Sequence, residues 1–79
     1  MTANTTETKF IADKPPTLEE CQKFVGGLVE LITLMDGSQM LVNEEGLIHR
    51  LPVNEKASTM AMRPIVGNAL ILRGIAKLK

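Results

Sequence analysis

The segment from Leu28 to Leu51 constrains the fold most. It holds three short apolar runs, Leu28–Leu34 (LVELITL), Gln39–Asn43 (QMLVN) and Leu47–Leu51 (LIHRL). Each run is too short for an independent helix and rich in residues that suit a pleated surface. Asp36-Gly37 separates the first two, and Asp-Gly tolerates the positive φ of a tight hairpin. Glu44-Glu45-Gly46 separates the last two, with Gly46 suited to a left-handed bulge position. The pattern predicts a three-stranded antiparallel meander. Both parities of Leu28–Leu34 are largely apolar, which predicts a strand covered on both faces, by helices on one side and a partner on the other. Glu30 is its one charge.

Helical signals flank the meander. Thr17 is a good N-cap and Glu20 completes a capping box, so a helix runs from Thr17 to Val25, ended by Gly26-Gly27. Leu18, Cys21, Phe24 and Val25 fall on its apolar face. Asn54 caps a second short helix, Glu55 to about Ala61, with Val53, Ala57, Met60 and Ala61 as its stripe. Ala69–Arg73 (ALILR) reads as a final strand, which the tail could extend beyond a bulge at Gly74. Residues 1–16 read as a flexible N-terminal arm, in which Lys9–Ala12 is a short strand or a hydrophobic tether. Pro15-Pro16 breaks any continuing structure. The expected architecture is a single α+β domain over 17–79: short helix, three-stranded meander, second short helix, final strand.

With 79 residues the core is thin, and the absence of Trp and Tyr leaves Leu, Ile, Val and Met to build it. Phe10, Ile11, Leu28, Leu31 and Ile32 are the expected oligomer-interface residues, and a homo-oligomer is the expected state. No apolar run is long enough to span a membrane and no signal peptide is visible, so the expected location is cytoplasmic, the host cytoplasm if the chain is phage-encoded.

Catalytic and metal chemistry find little to work with. One Cys and one His exclude an intrachain disulfide and the common zinc sets, so neither a metal nor a cofactor is expected. Cys21 reads as a core hydrophobe and Glu44-Glu45 as a solvated turn. No nucleophile–base set stands out, and the expected protein is not an enzyme. Gly26-Gly27 follows a helix instead of preceding one, so it is no phosphate loop.

A zero net charge hides an asymmetry. Residues 1–45 carry eight acids and three bases, and residues 46–79 carry six bases and one acid. The halves can neutralise each other, or the basic half can hold an anion. Arg63, Arg50 and Arg73 are the candidate anion ligands, with His49 as an extra donor and Arg63, beside Pro64, as the first choice. The basic half lacks aromatic residues for base stacking and the pI is about 6.6, so nucleic acid is not an expected partner.

Four pieces in order carry a family resemblance: Phe24–Leu34 with its VGG, Asp36–Gly46 ending VNEEG, LPVNEKAS over Leu51–Ser58, and IVGNALIL over Ile65–Leu72. From Thr17 to Gly74 the chain resembles a small family of phage- and bacteria-borne proteins known only as a domain of unknown function. The resemblance implies a phage or mobile-element setting and brings no catalytic residues. The function expected is that of a non-enzymatic phage accessory protein that binds and blocks or sequesters a host component, in a counter-defence role. The component is a host protein or a small anionic nucleotide signal. The alternative is a structural or scaffold module of a phage particle or larger complex.

Overall fold

The structure, a computed structural model, describes residues 6–78. The chain runs β1 (Thr8–Ile11), α1 (Leu18–Val25), β2 (Val29–Thr33), β3 (Gln39–Asn43), α2 (Glu55–Ala61), β4 (Ala69–Leu72) and a 3-10 turn, Gly74–Ala76. The four strands form one mixed sheet in the order β1-β4-β3-β2. β2 pairs antiparallel with β3, β3 antiparallel with β4, and β1 parallel with β4. The fold is α+β.

Local chemistry explains the elements that the sequence predicts. Thr17 Oγ1 accepts the Glu20 N–H at 3.1 Å, and the Glu20 carboxylate accepts the Thr17 N–H at 2.8 Å. Gly26 ends α1 in the left-handed region at φ 87°. At the β2–β3 turn the Asp36 carboxylate accepts the Ser38 N–H at 2.9 Å, and Gly37 takes φ 89°. Asn54 caps α2 by accepting the Ala57 N–H at 3.0 Å.

The capping box gives one direct expectation. The backbone N–H of Thr17 is the main influence holding the Glu20 carboxyl below its ordinary value. A depressed folded value means that the contribution is present at neutral pH and is lost as pH falls through that value. Thr17→Ala should cost about 1 kcal/mol by chemical denaturation. Thr17→Ala keeps that backbone N–H, so the pH dependence is read in Glu20→Ala, whose deficit should shrink on acidification. A deficit independent of pH would show that the box does not couple the two groups.

The core lies on both faces of the sheet. α2 covers one face, where Leu34, Met40, Val42, Ala57, Ile65, Ala69 and Ile71 pack together. α1 and the C-terminal turn cover the other, over Cys21, Leu41, Leu70, Leu72 and Ala76. The doubly covered strands are therefore β3 and β4. The helices lie on opposite faces, where the apolar parities of β2 predicted helices on one side and a partner on the other. β2 is half-exposed at the sheet edge, with Leu28 and Leu31 open to solvent.

Several expectations are corrected. Leu47–Leu51 forms no third meander strand. Residues 44–50 are turns, closed by His49 N–H to Glu45 O at 3.0 Å and Leu51 N–H to Gly46 O at 3.0 Å. The place beside β3 is taken by β4, which arrives from far along the chain, so the segment has no free edge to join. Gly46 is needed for a close approach and not for a left-handed bulge. A Cβ there would lie 2.7 Å from Val66 Cγ2. The arm, over Thr8–Ile11, is an edge strand of the chain's own sheet, while residues 1–5 of it lie outside the described residues. The tail does not extend β4 but turns at Gly74 (φ 57°) and docks Ala76 on the α1 face. In α1, Cys21 and Val25 are buried as expected, but Leu18 stays exposed.

Candidate functional site

The expected anion ligands do not converge. Arg50 and His49 sit in the 44–50 turn, Arg50 at φ 55°, with His49 Nε2 3.5 Å from Glu45. Arg63 follows Met62, the left-handed C-cap of α2, and its Nη2 lies 3.4 Å from the Glu30 carboxylate on β2. Arg73 leaves the end of β4 beside the β2–β3 turn, with its Nη2 3.9 Å from Asp36. Glu30–Arg63 and Asp36–Arg73 each join an acid of the first half to a base of the second, so part of the charge asymmetry is neutralised within the chain.

Arg73 has the richest surroundings of the four. Continuing the β3–β4 register places Ser38 opposite Arg73, and Arg73 Nε donates to Ser38 Oγ at 3.2 Å. Phe10 pairs with Ile71 across the parallel ladder, so its ring stands on the same face, with the guanidinium carbon 4.9 Å from its centroid. Lys56 at the start of α2 brings its ammonium 5.2 Å from the same centroid. Both distances are within cation–π range. Beyond the turn, Lys77 Nζ donates to the Gly37 carbonyl at 3.1 Å. A hollow of about 470 Å³ opens there, lined by Asp36, Gly37, Ser38, Arg73, Gly74 and Lys77.

Arg73 and Lys77 thus flank the turn that carries Asp36, and Arg73 shares the Phe10 ring with Lys56. The Asp36 carboxyl is held below its usual range, first by the Ser38 backbone N–H and less by Arg73. It is a turn-former before it is an ion-pair partner. At 3.9 Å its contact with Arg73 is longer than a hydrogen bond, and among the described residues Arg73 donates side-chain hydrogen bonds only through Nε. The Nη groups keep their donors for another partner.

A larger cleft of about 1060 Å³ lies between β1 and α1, floored by Ile11, Phe24 and Leu70. Its lysines, Lys9, Lys14 and Lys23, are matched by Glu7, Asp13 and Glu20, so it presents no single sign of charge. Cys21 is buried against the sheet, and burial raises its thiol pKa, which keeps the sulfur protonated and inert. Among the described residues no three His, Cys, Asp or Glu side chains gather as metal ligands, and no helix is long and apolar enough to cross a membrane.

Sequence reasoning named Arg73 and Phe10 but placed them in different roles, and it passed over Lys56 and Lys77. Phe10 and Lys56 meet only because β1 crosses to β4. No local pattern signals a contact between segments so far apart in the chain.

No curated protein and no solved structure matches the chain. One family model does, over residues 2–77. That span takes in β1 and the C-terminal turn, both outside the stretch whose motifs carry the resemblance, and both are integral to the sheet and its cover. The chain belongs to the DUF3846 family, a domain of unknown function.

Proposed function

We propose that this chain is a non-enzymatic binding module that holds a small anionic ligand of the nucleotide class at Arg73 and so sequesters it from a host, in the phage setting that the resemblance implies. The observation that supports this reading is the gathering of Lys56, Arg73 and Lys77 around one ring and one turn, with guanidinium donors unspent. Phosphate oxygens would take the Nη donors and displace Asp36 as their neighbour. The Ser38 contact on Nε holds the fork in place.

Calorimetric titration with a panel of mono-, di- and cyclic nucleotides tests it. The wild type should bind at least one member. Arg73→Ala should bind roughly 10- to 150-fold more weakly, the loss of one charge-assisted hydrogen bond or a close pair. Arg73→Lys should recover little, since Lys keeps the charge and loses the fork. Arg63→Ala should leave binding unchanged, its guanidinium being engaged with Glu30. If the wild type binds no nucleotide, the small-ligand reading falls and a host protein becomes the better target. A structural role in a larger assembly is the second reading, favoured by the unguarded sheet edge at β2.

A further inference from the structure

We infer that β2 is a self-pairing edge, through which two copies of the chain join their sheets antiparallel about a two-fold axis at Leu31. The inference is independent of the Arg73 site, which lies at the β2–β3 turn and the end of β4.

The argument begins with backbone geometry. The Glu44 N–H bonds the Leu28 carbonyl and the Leu34 N–H bonds the Ser38 carbonyl, at the two ends of the β2–β3 ladder. In an antiparallel pair the residues that exchange hydrogen bonds alternate. Leu28, Glu30, Ile32 and Leu34 therefore turn their backbone groups to β3. Val29, Leu31 and Thr33 turn theirs outward, where no strand of the described chain stands. These outward groups must pair with water or with another strand.

Only one register uses all of them. With Leu31 opposite Leu31 of the second copy, Val29 falls opposite Thr33, and every outward N–H meets an outward C=O. A shift by two residues in either direction leaves an end residue of the strand unpaired. A shift by one turns the side chains to the wrong faces. The register is symmetric, as a closed dimer requires.

Side chains agree with it. Leu31 is 44% exposed on the α1 face and would close against its own mate. On the α2 face Glu30 would stand opposite Ile32 and diagonal to Glu30 of the second copy. That diagonal contact would repel, but each Glu30 already carries Arg63 at 3.4 Å, so two acids and two bases would meet at the seam with no net charge. The strand has no Lys, no Pro and no bulge, devices that keep an edge solitary, and its one charge, Glu30, is paired with Arg63. β1, the opposite edge, does carry a lysine, Lys9.

Cross-linking at chosen positions reads the register directly. Paired residues across such a ladder have Cα atoms about 5.5 Å apart, within disulfide reach. Sedimentation at about 100 µM should give a wild-type dimer. Leu31→Cys should cross-link to itself under mild oxidation, whereas Thr33→Cys should not, because its mate lies four residues away along the strand. The native Cys21 is buried and stays out of the reaction. Leu31→Lys sets two ammonium groups directly opposite each other and should give a monomer with unchanged circular dichroism. A wild-type monomer, a dimer that survives Leu31→Lys, or cross-linking by Thr33→Cys as readily as by Leu31→Cys would each overturn the inference.

Discussion

Asn54→Ala is expected to be the most damaging single substitution in this chain, lowering the melting temperature by at least roughly 15 °C. Asn54 is 2% exposed, and its amide ties together three parts of the chain. Its Oδ1 accepts the Ala57 N–H at 3.0 Å and the Thr8 hydroxyl at 3.2 Å. Its Nδ2 donates to the Gly67 carbonyl at 2.9 Å and to the Glu7 carbonyl at 3.4 Å. One side chain thus caps α2, closes the turn before β4 and fastens the start of β1. Truncation strips the cap and leaves buried backbone groups without partners, at about 1–3 kcal/mol each. The sum is on the order of 4 kcal/mol in a domain whose whole stability is about 5–15 kcal/mol. Asn54→Asp should be no better. It keeps the acceptor but sets a buried negative charge against two carbonyls that need donors. Thermal unfolding followed by circular dichroism measures both. A shift under about 5 °C for Asn54→Ala would show that water replaces the amide and that Asn54 is no hub.

What was legible in the sequence was what is decided locally. The Thr17–Glu20 box, the Asn54 cap, the Asp36-Gly37 hairpin and the apolar run of β4 each rest on residues within a few positions of one another. The errors arise where long-range pairing decides. Leu47–Leu51 has the composition of a strand, yet β4 occupies the edge of β3 that it would need, and Leu47 and Ile48 are left exposed. Lys9–Ala12 looked equally able to tether a neighbour or to form a strand. The parallel crossing to β4 depends on Asn68, whose Oδ1 accepts the Glu7 N–H at 2.9 Å and whose Nδ2 donates to Phe24 O at 3.1 Å. Nothing near Lys9 in sequence reports that. The same limit applies to the Arg73 cluster. Arg73 was visible as a base, but its ring neighbour and its companion lysine come from β1 and α2. Two apolar parities in a strand do not by themselves show that both faces are covered: β2 has them and lies half-exposed at the edge, while β3 and β4 are the covered strands. Nor do the parities show which strand is central, or that one helix suffices for each face.

Deleting residues 1–12 should make the chain aggregate, a result that a passive tail would not produce. Besides its parallel ladder with β4, three hydrogen bonds anchor the two ends of β1. The Ala69 N–H reaches the Glu7 carbonyl at 2.9 Å, the Arg73 N–H reaches the Ile11 carbonyl at 3.0 Å, and the Glu7 N–H reaches Asn68. Ile11 packs on the α1-side core, and the Thr8 hydroxyl and Glu7 carbonyl are partners of Asn54. Losing these together costs on the order of 5 kcal/mol, with net bonds at about 0.5–1.5 kcal/mol each and the apolar contact added. The deletion also bares one side of β4, whose residues Ala69–Leu72 are all buried and apolar. An uncharged apolar strand without Pro is the kind of edge that recruits other chains. The truncated chain should therefore show a broad, low melting transition, bind a hydrophobic dye and scatter light at concentrations where the full chain stays clear. Phe10→Ser, which keeps the β1 backbone and removes only the ring beside Arg73 and Lys56, should stay soluble and cooperative. If the truncated chain melts with the full chain and remains clear, β4 tolerates an open edge and β1 contributes nothing to the sheet's stability.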